Sequence, residues 1–149
     1  MPVQYLIEMR KSLALSILFL FLLAGCGGKD NVTPSKDSLM TIEALSSINV
    51  IKSAYQEKDR DVLQNHLGDA IAEEIKERLF FEKGELSITP RMVRIDGLTV
   101  VVDVNWQGTW MIKGEMLKDR GIAAFVFDGS PMRLVRVDGD NPFYAPLVK

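Results

Sequence analysis

The chain has a single cysteine and a single histidine in 149 residues. A lone cysteine excludes an internal disulfide, and one cysteine with one histidine cannot supply a zinc-type ligand set. Neither a metal nor a cofactor is therefore expected. The formal net charge is only −2, and its mixed signs argue against nucleic-acid binding, which calls for a basic face. The glycines form no phosphate loop, no repeat is present, and nothing groups His66 with a serine and a carboxylate as nucleophilic catalysis would require. Long apolar runs are also missing. The longest, from Leu13 to Leu23, falls short of the roughly 20 residues that a spanning helix needs.

What that run does have is its setting. Arg10 and Lys11 precede it and small residues end it, which is the layout of a secretory signal. The end reads Leu23-Ala24-Gly25-Cys26 and resembles the lipobox of bacterial lipoproteins. The resemblance implies cleavage between Gly25 and Cys26, a thioether to diacylglycerol on the Cys26 sulfur, and attachment to the bilayer through lipid rather than through a polybasic patch. The other reading of Cys26 is a free thiol, a liability in an oxidising envelope. Gly27 stands where aspartate is associated with inner-membrane retention, so the resemblance implies the periplasmic face of the outer membrane of a Gram-negative bacterium. Met1 to Glu8 place a carboxylate ahead of the basic residues, which makes Met9 an alternative start.

Three segments follow: a signal over 1–25, a tether over 26–37 and a domain over 38–149. The tether is polar and rich in turn formers, with a root-mean-square reach of about 20 Å. In the domain, Ile42, Leu45, Ile48, Ile51 and Tyr55 recur at helical steps and predict an amphipathic helix over 39–57 capped by Ser38. Asp59 opens a second helix whose apolar side carries Val62, Leu63, His66 and Leu67, with Gly68 ending it. Asp69 is expected to cap a third, lined by Ile71, Ile75 and Leu79 and stopped by Gly84.

Beyond Gly84 the period becomes two. Val93 and Ile95, the Asp96-Gly97 pair, and Leu98, Val100, Val102, Val104 and Trp106 predict a hairpin on a type I′ turn with its apolar positions on one face. Trp110 and Ile112 keep that parity past Gly108, where the strand is expected to bend or bulge. Residues 113–121 read as turn-rich. A second hairpin, Ile122 to Phe127 with Met132 to Val137, closes around Asp128 to Pro131 through a loop of two to four residues. The aromatics of the tail, Phe143 and Tyr144, are expected to pin it to the core.

Helices followed by an antiparallel sheet predict an α+β domain, a curved sheet wrapped on a long helix. This order, the join Ala54-Tyr55-Gln56-Glu57-Lys58-Asp59-Arg60-Asp61-Val62-Leu63 and the strand Trp106-Gln107-Gly108-Thr109-Trp110 resemble the nuclear transport factor 2-like (NTF2-like) fold over about residues 38–145. The resemblance implies a conical cavity that some relatives use for catalysis and others only for binding or dimerisation. Fold alone does not choose among them.

The residues weigh against catalysis. An isomerase-like or dehydratase-like site needs a carboxylate base and a neutral donor inside the cone, whereas the inward positions expected of the first hairpin carry no proton-transfer group. Parity sends Asp103 outward. His66 is the best acid or base by its ordinary pKa, yet a surface or partly packed histidine is the plainer reading. The candidate pocket is Tyr55, Arg91, Val102, Trp106 and Trp110. Tyr55 is either a donor or a core residue, and the two tryptophans are either a stacking wall or core. In the expected register Arg91 faces inward opposite Val102 and needs an anion, unless Pro90 breaks the register and leaves it at an exposed edge. Met92 and Val101, expected opposite each other on the outer face, offer a contact for a homodimer or an envelope protein. The sequence thus favours a non-enzymatic lipoprotein that binds a small apolar ligand or a protein partner, with an enzyme on the same fold as the alternative.

Overall fold

Ser35 sets where the domain begins. In the computed structural model, which describes residues 33–147, the Ser35 hydroxyl accepts the backbone N–H of Ser38 at 3.1 Å and satisfies a donor that the first turn leaves free. Helix α1 therefore spans Lys36–Glu57, and the expected Ser38 cap is corrected to Ser35. Gly25, Cys26, the signal and most of the tether lie outside the described residues. No helix among the described residues is long and apolar enough to cross a membrane.

The buried stripe of α1 is Met40, Ala44, Ser47, Ile48, Ile51, Ala54 and Tyr55. Ile48, Ile51 and Tyr55 fall where the period places them, but Ile42 is 59% exposed. Each three-residue step falls about 60° short of a full turn, so Ile42, three such steps before Ile51, lies on the opposite side of the helix from it. Lys58, in the left-handed region at φ 59, returns its N–H to the carbonyls of Ala54 and Tyr55 and ends α1. Asp59 then caps α2 (Arg60–His66), accepting the N–H groups of Asp61 and Val62. Gly68 does not end α2 but caps α3 (Asp69–Glu77), so Asp69 is its first residue rather than its cap. The Gly68 N–H donates to Leu134 O at 2.8 Å and ties the helices to the sheet. Helix α3 stops at Arg78, well before Gly84.

The sheet is antiparallel in the order β1 (Lys83–Asp96), β2 (Thr99–Ile112), β3 (Glu115–Asp128) and β4 (Arg133–Gly139). The first turn is Gly97-Leu98, because Asp96 pairs with Thr99. Glycine at the first central position, at φ +63, suits a type II′ turn, whereas a turn on Asp96-Gly97 would force a positive φ on both residues. Val93 therefore faces Val102, and Ile95 faces Val100. The correction is a shift of two residues, which keeps Val93, Ile95, Val100 and Val102 on their expected face and moves Leu98 out of the strand into the turn, where it is exposed. Strand β1 extends back to Lys83 and carries a bulge at Arg91, between Pro90 and Met92, where proline cannot donate to the ladder.

Strand β2 runs unbroken through Gly108. Lys113-Gly114, both at positive φ, make a two-residue turn, and β3 follows at once where turns were expected over 113–121. Residues before Ala123 have no β4 partner, and a free edge tolerates the charges of Lys118, Asp119 and Arg120. A bulge near Val126 and a four-residue loop connect β3 to β4. One core fills the space between the inner sheet face and the helices, with Trp110, Tyr55, Phe81, Phe125, Phe127 and Phe143 its largest fully buried side chains.

Gly108 makes room for that core. A Cβ there would lie 2.0 Å from Cη2 of the Trp110 indole, so the ring lies over bare backbone. Gly108→Ala is expected to destabilise the domain by about 1–3 kcal/mol through overpacking, read as a lower urea midpoint. An unchanged midpoint would show that the indole does not rest on Gly108.

Candidate functional site

The inner face of β2 presents Val100, Val102, Val104, Trp106, Gly108, Trp110 and Ile112, all buried. Opposite them α1 contributes Tyr55 from its last turn. The Trp110 indole N–H donates to the Tyr55 hydroxyl at 3.0 Å, and the Trp106 indole N–H donates to Asp140 O at 2.7 Å. Both polar handles of the expected aromatic wall are thereby taken up within the protein. The two indoles meet edge to face, 6.3 Å between centroids.

The rest of the wall closes around Tyr55. Phe81 lies 5.0 Å from its ring and Phe143 5.4 Å, while Phe143 stacks on Phe125 at 5.8 Å. Phe143 arrives because the tail crosses β3: the Asp140 N–H donates to Ile122 O, and the Asp140 carboxylate accepts the Ile122 N–H. Gly121 permits the crossing, since a Cβ there would meet Asp140 Cβ at 2.5 Å. Tyr144 is half-buried against the core, under the Arg78 guanidinium at 4.0 Å. Lys58 donates to Phe81 O and sits over the Phe81 ring.

Of the five candidate pocket residues, the fold brings together Tyr55, Val102, Trp106 and Trp110 as core. It separates Arg91, the exposed unpaired residue of the β1 bulge. Tyr55 is the one titratable group among the described residues buried in the core. Desolvation pushes its hydroxyl well above the ordinary tyrosine value, only partly offset by the Trp110 hydrogen bond, so at neutral pH it is neither a base nor a ready acid. His66 is half-buried in the last turn of α2, outside the core cluster. Asp103 lies on the outer face, paired with Arg94 at 3.0 Å. Among the described residues no cluster of His, Cys, Asp or Glu could hold a metal.

The outer face differs from expectation in one respect. Met92 pairs with Asp103, and Val101 with Arg94, so the expected Met92–Val101 apolar pair is split by an ion pair. A groove of about 280 Å³ at the far end of this face is lined by Lys83, Glu85, Thr109, Met111, Met116 and Lys118. Its Lys83–Glu85 pair is too exposed to act as a tuned acid and base.

Sequence reasoning missed Phe81, Gln56 and Asp140. Phe81 stands in the unperiodic run Leu79-Phe80-Phe81, whose hydrophobicity is the only signal. Gln56 accepts the Leu86 N–H at 2.6 Å and Asp140 anchors the tail, and no local pattern marks either role.

No family model and no curated protein matches the chain. Solved structures match its shape. An NTF2-like superfamily protein from Salmonella enterica serovar Typhimurium superposes with a TM-score of 0.60 at 15% identity, covering 71% of this chain and 93% of its own. A conserved protein from Planctomyces limnophilus gives 0.54 at 15% identity over 67% and 97%. A Kribbella flavida protein gives 0.52 at 10% identity over 71% and 94%. The domain thus has the NTF2-like fold, three helices followed by a curved four-stranded antiparallel sheet.

Tyr55→Phe is expected to leave the Trp110 N–H buried without an acceptor, at a cost of about 1–3 kcal/mol at neutral pH. A raised tyrosine pKa stabilises the fold below the unfolded value of about 10 and loses that contribution as pH climbs above it. Denaturation midpoints of the wild type should therefore fall more steeply above pH 10 than those of Tyr55→Phe. Parallel pH profiles would mean that Tyr55 is solvated.

Proposed function

We propose that the chain is a cell-envelope lipoprotein, held by acylated Cys26 at the periplasmic face of the outer membrane. Its NTF2-like domain works without catalysis, by offering its surfaces to an envelope protein. The observation that supports a surface role is the closure of the interior: Tyr55 and Trp110 are fully buried against each other, with the indole N–H and the phenol oxygen paired. A ligand in the cone would have to displace such side chains, and each fully buried aromatic contributes about 2–3 kcal/mol to the fold. Of the two uses open to a non-enzymatic cone, partner binding is therefore favoured over a small apolar ligand. The exposed Met116 and Ile122 on β3 leave apolar surface for such a partner.

The anchor is the testable part. Cys26→Ser is expected to abolish fatty-acid labelling of the protein while the domain keeps its denaturation midpoint; labelling that persists would overturn the lipobox reading. Native mass spectrometry of the soluble domain over residues 35–149 should give the bare polypeptide mass, as monomer or dimer. A retained small molecule would return the cone to use as a binding site.

A further inference from the structure

Three large apolar side chains are left exposed at one end of the domain. Leu39 (54% exposed) and Ile42 (59%) stand on the first two turns of α1, and Leu98 (58%) is the second residue of the β1–β2 turn. These belong to the same end of the fold. Val100 pairs with Phe127 and Asp128 with Arg133, so the β1–β2 turn and the β3–β4 loop share one edge of the sheet. The Glu43 carboxylate accepts the Met132 N–H of that loop at 2.8 Å, which holds the start of α1 at the same edge. Met116, paired with Met111 beside the β2–β3 turn, marks the opposite end.

The chain enters the domain at this apolar end. Ser35 caps α1, and residues 27–34 alone separate it from Cys26. The Cα–Cα steps from Cys26 to Ser35 have a root-mean-square span of about 16 Å and a full extension of about 30 Å. Strand β2, at 14 residues, is itself about 45 Å long. A tether this short keeps the end bearing Leu39, Ile42 and Leu98 next to the lipid and favours the far end pointing away. Basic and acidic residues alternate at the entry, as in Lys36 and Asp37, so an attraction there would come from apolar insertion rather than from charge.

The geometry points to a membrane-contact surface: Leu39, Ile42 and Leu98 rest in the interfacial layer of the bilayer and stand the sheet upright, with the β2–β3 turn directed away from the lipid. This rests on the lipid-anchored reading. It gives a role to Ile42, an apolar residue of α1 that the core does not take.

The test uses the acylated full-length protein in vesicles of phosphatidylethanolamine and phosphatidylglycerol. Because the thioether occupies the only native sulfhydryl, Leu39→Cys, Leu98→Cys and Met116→Cys each add the sole free thiol, at an exposed site where folding is not at stake. Spin labels there are read by collision with oxygen, which concentrates in lipid, and with a nickel chelate, which stays in water. The expected result is a severalfold higher oxygen-to-nickel accessibility ratio at positions 39 and 98 than at 116. Equal aqueous ratios on vesicle-bound protein would overturn the surface and leave the anchor standing; equal lipid-like ratios at all three sites would overturn the upright orientation. Protein that does not remain on the vesicles at all would remove the anchor, and this inference with it.

Discussion

A buried indole N–H needs an acceptor, and Trp110 finds its acceptor on the Tyr55 hydroxyl, 55 residues away in sequence. Much of the domain can be understood as the means of keeping that contact dry. Gly108 removes the side chain that would hold the indole off the sheet. The left-handed turn at Lys58 ends α1 directly after Tyr55 and sends the chain away from the core. Phe81 and Phe143 close over the tyrosine ring from two distant segments. An unpaired N–H at this depth would cost more than the bond itself contributes, so each of these features protects a contact whose loss would be disproportionate.

That arrangement also decides what the NTF2-like fold can offer here. A cone serves as a site when polar groups converge on a space that side chains leave open. In this chain both indoles that reach inward are spent within the protein: Trp110 on Tyr55, and Trp106 on the Asp140 carbonyl. The tail that could have left the mouth open delivers Phe143 into it instead. The charged side chains Arg94, Asp103, Lys83 and Glu85 are paired on the opposite face of the sheet. Chemistry and packing have been sorted to different sides, and the side with free surface is the outside.

The sequence disclosed periods and caps well, and partners poorly. Alternation from Val100 to Ile112 gave the correct inner face because parity depends only on counting by two. The same alternation could not fix which residue faces Val102, since a slip of two preserves it, and the turn chemistry of Gly97 decided in favour of Val93. Asp59 was legible as a cap because its carboxylate acts within two and three residues of itself. Ser35 was not, because Ser38 lies three residues on and offers the same chemistry. Among the pocket candidates, burial of Tyr55 followed from the helical period and that of Trp106 and Trp110 from strand parity. Arg91 was decided by a bulge that a proline announces without locating. The Tyr55–Trp110 bond itself joins two elements whose angle no local pattern records.

Ile42 carries the most information of these departures. Its three-residue step to Leu45 reads as helical, yet three such steps carry it about 180° round the helix from Ile51, and Met40, Ala44, Ser47 and Ile48 take the buried stripe. Apolar residues outside that stripe are left in water unless something else covers them. Scattered exposed leucines need no explanation. Leu39 and Ile42, one turn apart on α1, share an end of the domain with Leu98 and with the point of chain entry, and burying a leucine-sized side chain recovers about 1.5–3 kcal/mol. The stripe that packs the helix inward thus leaves an apolar edge where the chain enters the fold.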